Sequence, residues 1–95
     1  MMVYLVAYQF VNRTTDEKKP FYEALEQFAD CVEVTSSVCL VASDTHIDHV
    51  HDFLEDHMIA GDSLFVSRIM SIDDFYTADK KVIRWLRGHV HGKTF

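Results

Sequence analysis

The stretch Met2 to Val11, MVYLVAYQFV, constrains the fold more than any other part of this chain. Its ten residues include one strongly polar side chain, Gln9. β-branched and aromatic residues dominate it, which predicts a strand with both faces buried. Side chains alternate along a strand, so Met2, Tyr4, Val6, Tyr8 and Phe10 share one face, and Val3, Leu5, Ala7, Gln9 and Val11 share the other. Two apolar faces need two covers. Helices encoded downstream supply one. So short a chain offers no obvious second, which predicts a homodimer.

With 95 residues the chain is expected to be one domain, spanning 1–95, near the lower end of what folds without staples. A hydrophobic content of 48% is enough for a real core, and one Pro with three Gly leaves no room for linkers or low-complexity segments. No run is long enough to span a bilayer, and the N-terminus lacks a basic region and cleavage site, so a cytosolic protein without a signal peptide is expected. Cys31 and Cys39 are too few for a disulfide framework or a four-ligand site, and read as free, mostly buried thiols.

After a polar loop at 12–19, Pro20 marks a helix start. Thr14 with Glu17 resembles a capping box, but that register puts Pro20 too deep, so the helix is expected to begin near Glu17 to Lys19. Phe21, Ala24, Leu25, Phe28 and Val32 recur at helical spacing, and the helix should end at Cys31 to Val34. Thr35 to Ser37 form a turn, Val38 to Ala42 a clear strand, and Val32 to Val34 a short strand that can pair with it. Thr45 and Asp48 are in capping-box register for a second helix. Ile47, Val50, Phe53, Leu54, His57 and Met58 form its apolar arc, and Gly61 is a C′ residue that would end it. Residues 62–70 make another strand.

Strand, helix, strand, strand, helix, strand is the order of a ferredoxin-like α+β unit, βαββαβ, an antiparallel sheet with two helices on one face. Its core covers residues 2–70. A C-terminal helical extension at about 77–90 follows, with Ala78, Val82, Trp85 and Leu86 on one side and Lys80, Lys81, Arg84 and Arg87 on the other. Ser71 to Asp74 would cap a short turn before it. Residues 91–95 are expected to fray.

YLVAYQF at 4–10, VCLVAS at 38–43 and GDSLFV at 61–66 resemble the CRISPR-associated small dimeric nucleases and their SinR-like relatives, across most of residues 2–70. The resemblance implies a ferredoxin-like fold that dimerises through its sheet. In the nuclease members the residue after this strand's Tyr is an Asp that holds the catalytic metal at the dimer seam. Here Tyr8 is followed by Gln9, a degenerate metal position. A neutral amide brings no charge to Mg²⁺ and holds it far more weakly than a carboxylate. No catalytic residue, metal or cofactor is therefore assigned. A divergent nuclease, endoribonuclease or DNase, using Mg²⁺ or Mn²⁺ is the alternative.

Charge suggests a different role. Residues 1–79 hold all fifteen acids and four bases, a net −11, while residues 80–95 hold five bases and no acid. The body has no basic groove for a phosphate backbone, so direct nucleic-acid binding is not expected. Glu23, Glu26, Asp30, Asp48, Asp52, Glu55 and Asp56 are expected on one outward acidic face. The plainer account is that they keep a small protein soluble. The sharper one is a binding surface for a basic partner, in the manner of phage-type DNA mimics that inhibit restriction or other nucleic-acid-binding proteins. A structural or regulatory dimer is a third account. The dimer interface is expected to use Tyr4, Val6, Tyr8 and Phe10, with Trp85 as an anchor of the cover. His46, His49, His51 and His57 lie close in sequence, with Glu55 four residues after His51. The spacing is not HExxH and scatters around the helix, so a solvated helix with His57 at the core edge is the simpler reading.

Overall fold

The computed structural model describes residues 1–71 and 74–90. In chain order the elements are β1 (Met2–Gln9), α1 (Thr15–Leu25), β2 (Asp30–Thr35), β3 (Val38–Ser43), α2 (Ile47–Glu55), β4 (Ser63–Ile69) and α3 (Lys80–His89). The four strands form one sheet in the order β2-β3-β1-β4, and every neighbouring pair is antiparallel. This is a small α+β domain with a four-stranded antiparallel sheet and three helices. β1 is an inner strand with layers on both sides, which is why its sequence is apolar almost throughout.

One face of the sheet carries α1 and α2. Tyr4, Val6 and Tyr8 of β1, with Cys39 and Val41 of β3, pack against Phe21, Ala24 and Leu25 of α1 and Val50 and Leu54 of α2. Phe10 joins this layer through ring contacts with Tyr8, Phe21 and Tyr22 at 5.5, 5.2 and 6.0 Å. The expectation that a second subunit or the C-terminal helix covers the Tyr4/Val6/Tyr8/Phe10 face is therefore corrected: the chain's own α1 and α2 cover it. The helix with Trp85 lies on the opposite face. There Val82 and Leu86 of α3 pack on Val3, Leu40 and Ile69, with Leu5, Val32, Val34 and Trp85 around them.

Three local expectations also change. Thr14 is the N-cap of α1, and the Thr14–Glu17 capping box does form, so Pro20 stands inside the helix. Both Pro20 and Asp16, whose carbonyl loses its partner there, are exposed, so water can replace the missing hydrogen bond. The helix stops at Leu25, well before Cys31, and Asp30 opens β2. In α2 the N-cap is His46, without a side-chain cap bond. Thr45 instead hydrogen-bonds Ser43 Oγ, and its carbonyl accepts the Tyr4 hydroxyl at 2.6 Å. α2 ends at Glu55, so His57, Met58 and Gly61 lie beyond it. Gly61 takes φ +95° in the turn entering β4, a conformation open to glycine without strain.

Between β4 and α3, Asp74 accepts hydrogen bonds from the backbone N–H groups of Met70 and Ser71. The rest of the expected turn, at 72–73, and the fraying expected at 91–95 lie outside the described residues. Among the described residues no helix is long and apolar enough to cross a membrane.

Candidate functional site

The acidic layer follows from α1 and α2 lying side by side on one face of the sheet, in contact with each other. Their apolar sides face the sheet, so their polar sides face water. Glu23, Glu26, Asp48, Asp52, Glu55 and Asp56 are all exposed on this layer. Glu26 is the C-cap of α1 and Asp56 the C-cap of α2, and neither helix has a basic residue in its last turn. Carboxylates near the negative end of a helix dipole oppose it by about 0.3–1 kcal/mol each.

Asp30 does not belong to this layer. Its register partner Ala42 is opposite Val3, which places its side chain on the α3 side of the sheet. There its Oδ2 lies 3.1 Å from His89 Nε2. The His89 ring stacks on Trp85 with centroids 4.0 Å apart, and its Nδ1 lies 2.7 Å from the Trp85 carbonyl oxygen. Asp30, expected to bind a partner, thus ties β2 to the end of α3.

The residues expected at a dimer seam do not form one surface. Tyr4, Val6 and Tyr8 are buried under α1 and α2, and Trp85 is on the other side of the sheet. Gln9 is exposed at the end of β1, in register with Ser63. It lines an open cleft of about 550 Å³ with Ala7, Tyr8, Ser37, Val38, Ser63, Leu64 and Phe65. Among the described residues this lining offers amide, hydroxyl and apolar groups and no carboxylate, a poor donor set for Mg²⁺ or Mn²⁺. Phe65, on the same face as Ala7, is 63% exposed.

A third cluster sits at the end of α2. His51 Nδ1 lies 3.2 Å from Asp52 Oδ1 and 3.5 Å from Glu55 Oε2. The other histidines of the 46–57 segment do not join it. His46 caps the helix, His49 is exposed, and His57 packs its ring against Phe53 at 5.8 Å.

Sequence reasoning missed a buried ion pair. Arg13 Nη1 donates to Asp62 Oδ2 at 2.8 Å, with the two side chains 6% and 0% exposed. Asp62 also accepts from the backbone N–H groups of Val11 at 2.9 Å and Ile59 at 3.0 Å. Arg13 reaches the carbonyls of Glu17 and His57 and lies over the Phe10 ring. The pair clasps the β1–α1 loop to the α2–β4 loop. Burial alone would raise the Asp62 pKa, but the two N–H donors and Arg13 outweigh it and hold the carboxyl below its usual range. Asp62 falls in the motif GDSLFV and Arg13 in the polar loop at 12–19, and neither local pattern signals the pair. Of the thiols, Cys39 is buried as expected, and burial first, then the nearby Cys31 and Glu33, push it up to about 12. Cys31 is exposed on the edge strand β2, against the expectation of mostly buried thiols.

No protein-family model, curated protein or solved structure matches the chain.

Proposed function

We propose that this is a non-catalytic binding protein whose α1/α2 layer docks a basic protein that otherwise binds nucleic acid. The observation that carries this reading is the position of the carboxylates. Glu26 and Asp56 cap the C-terminal ends of their helices, where local energetics favour Lys or Arg. Solubility could be met by acids at positions that do not oppose the dipole. A sequence that breaks a local rule at a cluster of exposed sites is best explained by a use for that cluster. Six outward carboxylates on two adjacent helices suit a surface built for phosphates, so the layer competes with DNA or RNA for the partner.

The scaffold reading that goes with it is ferredoxin-like, supported by the βαββαβ order and the sheet order β2-β3-β1-β4. Kinship with the SinR-like relatives of the small dimeric nucleases rests on the strand motifs alone. The nuclease alternative gains nothing from the Gln9 cleft, whose described lining has no carboxylate.

The test is a triple reversal, Glu23→Lys, Glu26→Lys and Asp56→Lys. Two of these changes place cations at helix C-caps and should stabilise the fold slightly. They offset the loss of the Lys19–Glu23 contact, and the melting temperature separates loss of binding from unfolding. The wild type should bind a basic DNA-binding protein in low salt, release it at high salt, and be displaced by duplex DNA. The triple variant should melt no lower and bind at least tenfold more weakly. Binding by the variant that equals the wild type's removes the acidic layer as the docking surface.

A further inference from the structure

We propose a divalent transition-metal site at the C-terminal turn of α2, formed by His51, Asp52 and Glu55. The three candidate ligand atoms all lie within 4.8 Å of one another. His51 Nδ1 is already 3.2 Å from Asp52 Oδ1 and 3.5 Å from Glu55 Oε2. Donor atoms that each lie about 2.0–2.2 Å from a shared ion are themselves roughly 3.0–3.6 Å apart, so small side-chain rotations complete the set. Asp52 and Glu55 are exposed and His51 is partly so, which leaves them free to make those rotations.

Two further features favour a cation here. The last turn of α2 has no basic residue, and Asp56 adds a carboxylate at the C-cap, so the helix end and its acids form a concentrated negative field. His51 and Glu55 also line a cleft of about 560 Å³ with residues 58–64, among them Asp62 and Ser63. An ion held by three protein ligands on the rim of an open cleft keeps positions for water or for a ligand from outside. One imidazole nitrogen with two carboxylate oxygens selects a borderline ion such as Zn²⁺ over Mg²⁺ and Ca²⁺, which prefer all-oxygen shells.

This site does not depend on the docking role, and its test needs no partner. Zn²⁺ is titrated into the full chain by calorimetry, with Mg²⁺ as a second probe. One equivalent of Zn²⁺ should bind, Mg²⁺ should not compete, and His51→Ala and Glu55→Gln should each weaken binding at least tenfold. His49→Ala should leave it unchanged, which excludes casual capture by the other histidines of the helix. Both ligand substitutions are at the surface, and circular dichroism verifies that the variants keep the helix. Absence of saturable binding overturns the site. So does binding that survives His51→Ala and Glu55→Gln, or that falls equally with His49→Ala.

Discussion

Arg13 and Asp62 constrain the two loops tightly, because a buried carboxylate is tolerated only when it is paired and hydrogen-bonded. The Asp62 pKa is depressed in the folded chain, so in acid the unfolded state binds the additional proton. Stability from this group is fully present above the ordinary value of 3.8 and is lost as pH falls from there through the folded value. Asp62→Asn should therefore lower the melting temperature by several degrees at neutral pH. The gap between variant and wild type should close as the pH drops below about 4, when the native carboxyl is itself neutral. A gap that persists unchanged into strong acid would mean that shape, not charge, holds the two loops together. The pair was not legible in the sequence because its partners are 49 residues apart. Neither has a local pattern, and only the meeting of two loops brings them within bonding distance. Alternation along β1, by contrast, is a local property, and it placed Tyr4, Val6 and Tyr8 on one buried face correctly.

α1 shows how a helix survives a residue that opposes it. Pro20 removes one backbone bond and crowds the preceding turn, at a cost of about 3 kcal/mol relative to Ala in a helix interior. The capping box, the Arg13 bond to the Glu17 carbonyl, and the buried Phe21 immediately after Pro20 hold the segment helical regardless. Propensity alone argued for a later start, and tertiary contacts overruled it. Part of the cost is offset because Pro also restricts the unfolded chain, by about 0.4–1 kcal/mol. Pro20→Ala should thus raise stability by about 2 kcal/mol in urea denaturation, with no change in the slope. A variant no more stable than the wild type would place Pro20 outside the regular part of the helix. α3 is held through Val82 and Leu86 and through the Asp30–His89–Trp85 contacts. Its helical spacing and its Trp85 were readable in the sequence. The face it would cover was not, because apolar spacing gives the stripe on a helix and says nothing about which side of a sheet receives it.

At the scale of the whole fold, the two sides of the sheet carry different clusters of charge. Carboxylates crowd the α1/α2 layer, while Lys80, Lys81, Arg84 and Arg87 stand on α3, on the other side. Two copies cannot easily meet through their acidic layers, since like charges would face each other. One apolar patch lies on the α3 side, where the helix covers Val3, Leu40 and Ile69 but leaves Phe65 exposed beside Ala7, Val38 and Gln9. In a homodimer this is the patch that a second copy would bury. Phe65 stands mid-strand on the edge strand β4, and a Lys there is a standard means of blocking edge and face pairing. The wild type should sediment at twice 11.0 kDa and Phe65→Lys at 11.0 kDa. Because Phe65 makes little contact within its own chain, the variant monomer should stay folded, with a change of about 0.5 kcal/mol or less. Salt separates this surface from the acidic one. Apolar pairing through Phe65 should persist at high ionic strength, whereas docking by the carboxylates should fail there. A wild type that sediments as a monomer at every salt concentration would leave the Phe65 patch unpaired and rule out the dimer. The acidic layer would then have to act alone.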